Sequence, residues 1–151
     1  MSTEGLNVME KGLTMIQRAA ICFPAGVLGA LAVLLFSHVL FTLGLSPTLG
    51  IKAPFSLKPA DIYRPLFWGG LWGILFGLFI KTAWEWLYLF GLLYFLAPIL
   101  ATFLIFLPMS NVGYFGLKQG GPMLAVYLLL VSVPFGIITA WAARVITGKQ
   151  P

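Results

Sequence analysis

Trp68-Gly69-Gly70-Leu71-Trp72-Gly73-Ile74-Leu75-Phe76-Gly77 sets three glycines, Gly69, Gly73 and Gly77, four residues apart in a run that contains no charged residue. Glycine is a poor helix former in water. In hydrocarbon, however, every backbone polar group must find its partner within the segment, so an uncharged apolar run of this kind is helical there. On a helix, positions four apart return to one face. Gly69, Gly73 and Gly77 then form a groove without side chains, a glycine zipper into which a neighbouring backbone can settle.

Outward from this run, the rest of the chain reads the same way. The sequence has 151 residues, 60% hydrophobic and 9% charged. A soluble domain carries about 25% charged residues, so water is excluded as the main solvent. Four stretches lack internal Lys, Arg, Asp and Glu: Ala19 to Leu45, Leu66 to Ile80, Trp86 to Leu107 and Met123 to Ala143. Transmembrane strands would alternate in polarity and these runs do not, which excludes a barrel. The expected fold is an all-α integral membrane bundle of four transmembrane helices in a single domain covering residues 1–151, with spans at about 19–45, 63–83, 86–107 and 122–145. The run from Ala19 is too long for the apolar core of a signal peptide, so a retained first helix is expected.

The second stretch reaches spanning length only with Tyr63 to Pro65 and Lys81 to Ala83 added. A helix continuous from Pro65 to Leu107 would be about twice as long as a bilayer core is thick, so the chain has to turn near Lys81 to Glu85. The segment from Ser46 to Pro65 carries Pro47, Pro54, Pro59 and Pro65 and reads as an ordered or interfacial loop. Pro108 to Pro122, with Asn111, Gly113, Gly116, Gly120 and Gly121, reads as a short excursion. Lys11, Arg18, Lys81, Arg144 and Lys149 fall on the side of the termini, and Lys52, Lys58, Arg64 and Lys118 on the other. Five against four places both termini in the cytoplasm.

The groups capable of chemistry are few. The glycine face has two readings: packing within the protomer, with Ala25 and Gly29 or Ala97 and Ala101 as partners, or packing against another subunit. Trp68 and Trp72, then Trp84 and Trp86, fall where rings anchor helices at headgroup level, with Arg64 interfacial beside them. Trp141 falls similarly near the end of the fourth stretch. His38 is the single histidine. It reads as a neutral imidazole bonded to nearby backbone or to a hydroxyl such as Thr42, with an axial haem ligand or a quinone contact as the cofactor-binding alternatives. Asp61 and Glu85 lie at span ends, so no buried acidic relay is expected. Lys81 with Glu85, and Asp61 with Arg64, read as solvated interfacial pairs. Pro98 and Pro134 remove backbone hydrogen bonds inside the third and fourth spans and read as shape adaptations or as elements lining a path. Cys22, the one cysteine, reads as a packing residue. No Ser-His-Asp, Cys-His, phosphate-loop or zinc spacing occurs, so neither a catalysed reaction nor a resident cofactor or metal is expected. The scattered Lys and Arg residues suit headgroups rather than nucleic acid.

The stretch Arg64-Pro65-Leu66-Phe67-Trp68-Gly69-Gly70-Leu71-Trp72-Gly73 resembles the second span of small, uncharacterised bacterial four-helix inner-membrane proteins that share an Arg-x-x-x-Trp-Gly-Gly-x-Trp-Gly pattern. That resemblance implies a bacterial inner (cytoplasmic) membrane location and brings no catalytic residues. The expected function is that of a noncatalytic accessory or assembly subunit, partnered by the lipid bilayer and by a larger membrane complex or further copies of itself. The alternatives are a small channel or carrier, or a quinone- or haem-associated electron-transfer subunit.

Overall fold

The computed structural model describes residues 14–81, 84–118 and 121–148. Four helices are long and apolar enough to cross a membrane: α1, Met15–Thr42; α2, Pro59–Phe79; α3, Leu87–Met109; and α4, Gly121–Thr147. Every regular element among the described residues is helical. The chain is therefore an all-α four-helix membrane bundle. At 1.5 Å per residue, even the 21-residue α2 is about 31 Å long, which matches a hydrocarbon core of roughly 30 Å.

Local chemistry moves several span limits away from those expected. The first helix starts at Met15 rather than Ala19 because Thr14 and Gln17 form a reciprocal capping box. This satisfies two amides that the helix start would otherwise leave open. It ends at Thr42, short of Leu45, where Gly44 takes a left-handed conformation with φ 78°. Leu45–Thr48 then forms a separate helical turn. The largest correction concerns the loop expected to run to Pro65, since α2 already begins at Pro59. Proline at a first helical position loses no hydrogen bond, because that amide has no partner in any helix. Asp61 in the first turn opposes the positive end of the helix dipole, and its carboxylate accepts the Ser56 hydroxyl at 2.7 Å. Pro65 is accommodated inside the helix. At its other end α2 stops at Phe79 rather than Ala83, and a 3-10 turn, Trp84–Trp86, leads into α3.

All neighbouring helices run antiparallel, as their contact register shows. Gly77 of α2 faces Arg18 and Cys22 of α1, while Gly69 faces Gly26 and Ala30. Gly29 of α1 lies against Phe135 and Thr139 of α4, and Gly91 of α3 against Gly136 and Ala140 of α4. The first helix is thus central, with α2 on one side and α4 on the other, and α3 leans on α4. Near the chain termini, Cys22, Ala25, Phe76, Ile80, Leu87 and Ala140 form a buried cluster. Towards the loops, a second cluster of Leu40, Tyr127 and Val131 is covered by Leu49, Ile51 and Phe55 of the α1–α2 connection. The Phe55 amide fastens this connection by donating to the Ser37 hydroxyl at 3.2 Å.

Candidate functional site

The tight seams of the bundle are made at glycines. A Cβ built on Gly73 would stand 2.8 Å from the Gly26 Cα and 2.9 Å from the Gly26 amide nitrogen. On Gly77 it would stand 2.8 Å from the Arg18 carbonyl oxygen. The helices α1 and α2 therefore meet backbone to backbone along Gly69, Gly73 and Gly77. The partner stripe is Arg18, Cys22, Gly26 and Ala30, which is offset from the Ala25 and Gly29 surface expected from the sequence. Gly29 serves the other neighbour, α4, and the remaining candidate partners, Ala97 and Ala101, lie on α3. The second seam, between α3 and α4, closes at Gly91 and Gly136, where an added Cβ on Gly91 would lie 2.6 Å from the Gly136 carbonyl oxygen.

Between α2 and α3 the contact is different in kind, because large aromatic side chains hold the helices apart. Phe76 meets Phe90 and Tyr94 at ring distances of 5.2 and 5.1 Å, and the Tyr94 hydroxyl donates to the Trp72 carbonyl at 2.7 Å. Nearer the loops, Trp68 meets Phe106 edge to face at 5.2 Å. With α2 seamed to α1, α1 to α4 and α4 to α3, the aromatic spacers between α2 and α3 leave a wedge on that side. It is a cavity of about 530 Å³ with walls from all four helices. That is within the range of small-molecule sites, roughly 300–1,000 Å³.

The cavity is polarised along its length. Its mouth, on the side of the α1–α2 and α3–α4 connections, carries Ser56, Asp61, Arg64 and Ser110. Its body is lined by Trp68, Trp72, Ile99, Phe106 and Phe135. Arg64, Trp68 and Trp72 are spaced four apart, so one face of α2 supplies a cation and two indole rings to the cavity while the adjacent glycine face is buried on α1. On the opposite wall, α3 departs from α-helical winding at Thr102–Phe106, which forms a π-helical turn. Such turns are frequent at functional sites. Pro98, one turn earlier, lines the same wall, and its carbonyl accepts the Thr102 hydroxyl at 2.9 Å.

Several residues singled out in the sequence take other places. Because α2 begins at Pro59, Trp68 and Trp72 lie nine and thirteen residues beyond its first residue, in its middle and second half, where both line the cavity. Trp86 is 67% exposed and Trp141 50% exposed, each near a helix end. The side chain of Trp84 lies outside the described residues, as do Glu4, Glu10, Lys11 and Lys149. Arg64 is exposed at the cavity mouth, and Asp61 engages the Ser56 hydroxyl. His38 is half-buried outside the cavity walls, with Nδ1 3.0 Å from the Leu34 carbonyl and 3.4 Å from the Ser37 hydroxyl. A carbonyl only accepts, so Nδ1 carries the proton. The hydroxyl beside His38 is thus Ser37, since Thr42 donates to Val39. Among the described residues no three His, Cys, Asp or Glu side chains come together as a metal site. Pro134 borders a small apolar depression between α1 and α4, away from the main cavity.

No protein-family model, curated protein or solved structure matches the chain.

Proposed function

We propose that this is a noncatalytic protein of the bacterial cytoplasmic membrane that works by binding, receiving an amphipathic molecule in the cavity between α2 and α3. The supporting observation is the polarity of that cavity, with charged and hydroxyl groups at its mouth and aromatic and aliphatic walls in its body. Ligand sites share this combination of an apolar lining and a few convergent polar groups. The role belongs to the carrier and binding class. Of the two readings of the glycine face, packing within the protomer is the one supported by its burial on α1. With both termini in the cytoplasm, as the distribution of Lys and Arg favours, the cavity mouth opens on the outer side of the membrane.

Packing against a larger membrane complex as an accessory subunit is the second reading. It is favoured by α3, the least covered of the four helices, which is seamed to α4 alone. Native mass spectrometry after extraction from the source membrane in mild detergent separates the two. The binding reading expects the chain to carry a retained small amphiphile that is lost when Trp72 is replaced by alanine. A stoichiometric protein companion with no bound small molecule would refute it and support the accessory role.

A further inference from the structure

The nature of the amphiphile follows from the cavity mouth, and the inference rests on the binding reading above. Two charges line that mouth, Arg64 and Asp61. The Asp61 carboxylate already has work within the fold: it accepts the Ser56 hydroxyl at 2.7 Å and occupies the first turn of α2, where negative charge is favoured. The Arg64 guanidinium points the other way chemically, offering five donors in a planar fork suited to phosphate. The connection leading to it adds Lys52 and Lys58, so the segment from Ser46 to Arg64 carries three cations against one anion. The local field therefore favours a negative headgroup over an ammonium.

The body of the cavity fixes the shape of the occupant. Asp61 and Trp72 are eleven residues apart on one helix, so the path from mouth to floor is about 16 Å. Its floor is formed by Trp72, whose carbonyl accepts the Tyr94 hydroxyl, and nearer the mouth Trp68 and Phe106 bridge α2 to α3. A transmembrane helix about 10–12 Å across cannot enter between helices already joined by these contacts. A flexible acyl chain can. We propose that the cavity holds one anionic phospholipid of the surrounding bilayer, its phosphate paired with Arg64 and an acyl chain lying along Trp68, Trp72 and Ile99.

The test uses the full-length protein in mild detergent and phospholipids brominated on the acyl chain, which quench tryptophan fluorescence on contact. Brominated phosphatidylglycerol is titrated against brominated phosphatidylcholine of the same chain length. The expected result is saturable quenching at about tenfold lower mole fraction of phosphatidylglycerol, in keeping with one charge-assisted contact. Arg64→Gln should abolish that preference and Arg64→Lys should retain part of it, with both variants melting as the parent does. Equal saturable quenching by the two lipids, or a preference that survives in Arg64→Gln, would overturn the anionic assignment while leaving the binding reading intact. Tighter competition by a free fatty acid would overturn the phospholipid assignment. Absence of any saturable quenching would remove the binding reading itself.

Discussion

Replacing Gly73 with alanine adds one methyl group at the tightest point of the α1–α2 seam. The new Cβ would lie on the Cys22 carbonyl oxygen and 2.8 Å from the Gly26 Cα. Ordinary contacts begin near 3.5 Å, and all of these neighbours are backbone, so no side chain can rotate away. The helices have to part locally by roughly 1 Å, a gap that forfeits a quarter to a half of each dispersion contact along the stripe. Overpacking of this kind costs about 1–3 kcal/mol, offset by roughly 1 kcal/mol of helix propensity gained. Gly70→Ala is the matched control: there the nearest atoms belong to the Phe23 ring, which can turn. Its net effect should be smaller, with the propensity gain cancelling much of the cost. The single cysteine supplies the assay. Cys22 is 1% exposed and sits in the seam, its Cβ 2.9 Å from where a Cβ on Gly77 would be. Maleimide labelling of Cys22 in mild detergent should be slow in the parent and in Gly70→Ala, and several-fold faster in Gly73→Ala, alongside a lower melting temperature. Gly73→Leu should exceed both effects. A Gly73→Ala protein that melts and labels like the parent would refute the backbone-to-backbone seam.

Three further outcomes follow. Tyr94→Phe removes the hydrogen bond to the Trp72 carbonyl at the cavity floor, and should lower stability by about 0.5–1.5 kcal/mol in a denaturant titration. Tyr127→Phe deletes a buried hydroxyl that lies beside the Ser37 and Ser46 hydroxyls but outside hydrogen-bonding geometry with them. Because removing an unsatisfied polar group relieves a desolvation cost, the variant should melt at or above the parent temperature, and a clear drop would show that the Tyr127 hydroxyl bonds to Ser37 or Ser46. His38 spends Nδ1 on its own helix and lies outside the cavity walls, so the gently purified protein should show no Soret absorption, and His38→Gln should leave its visible spectrum unchanged.

How much was legible in the sequence depended on how far each signal reached. Apolar runs free of charge marked four spans, because hydrocarbon allows few other backbone solutions. Gly69, Gly73 and Gly77 marked a packing face, but spacing along one helix does not choose its partner. The offset from Gly29 to Gly26 depends on helix rotation, which no single helix encodes. The span limits were misplaced where capping overrode composition: Thr14 with Gln17 at one helix start, and Pro59 with Asp61 at another. This second shift put Trp68 and Trp72 in the middle and second half of α2, on the cavity wall. The Gly91 and Gly136 contact went unread because each is a lone glycine in its span, with no series to announce it. Asp61, Arg64 and Pro98 were noticed individually. Their convergence on one cavity needed the tertiary arrangement, as did Ser56, Thr102 and Phe106.

The π-helical turn at Thr102–Phe106 carries a consequence for sequence change in this region. An α-helix advances about 100° per residue, so one residue gained or lost rotates everything beyond it by that amount. The wide turn absorbs a surplus residue just before Phe106, which is how that ring comes to face Trp68 across the cavity. Deleting a single residue between Thr102 and Ile105 would let ordinary winding resume with Phe106 and Ser110 still in register, whereas inserting a second residue there would swing the aromatic bridge out of line and rotate Ser110 away from the mouth. This wall can therefore lose a residue more readily than gain one.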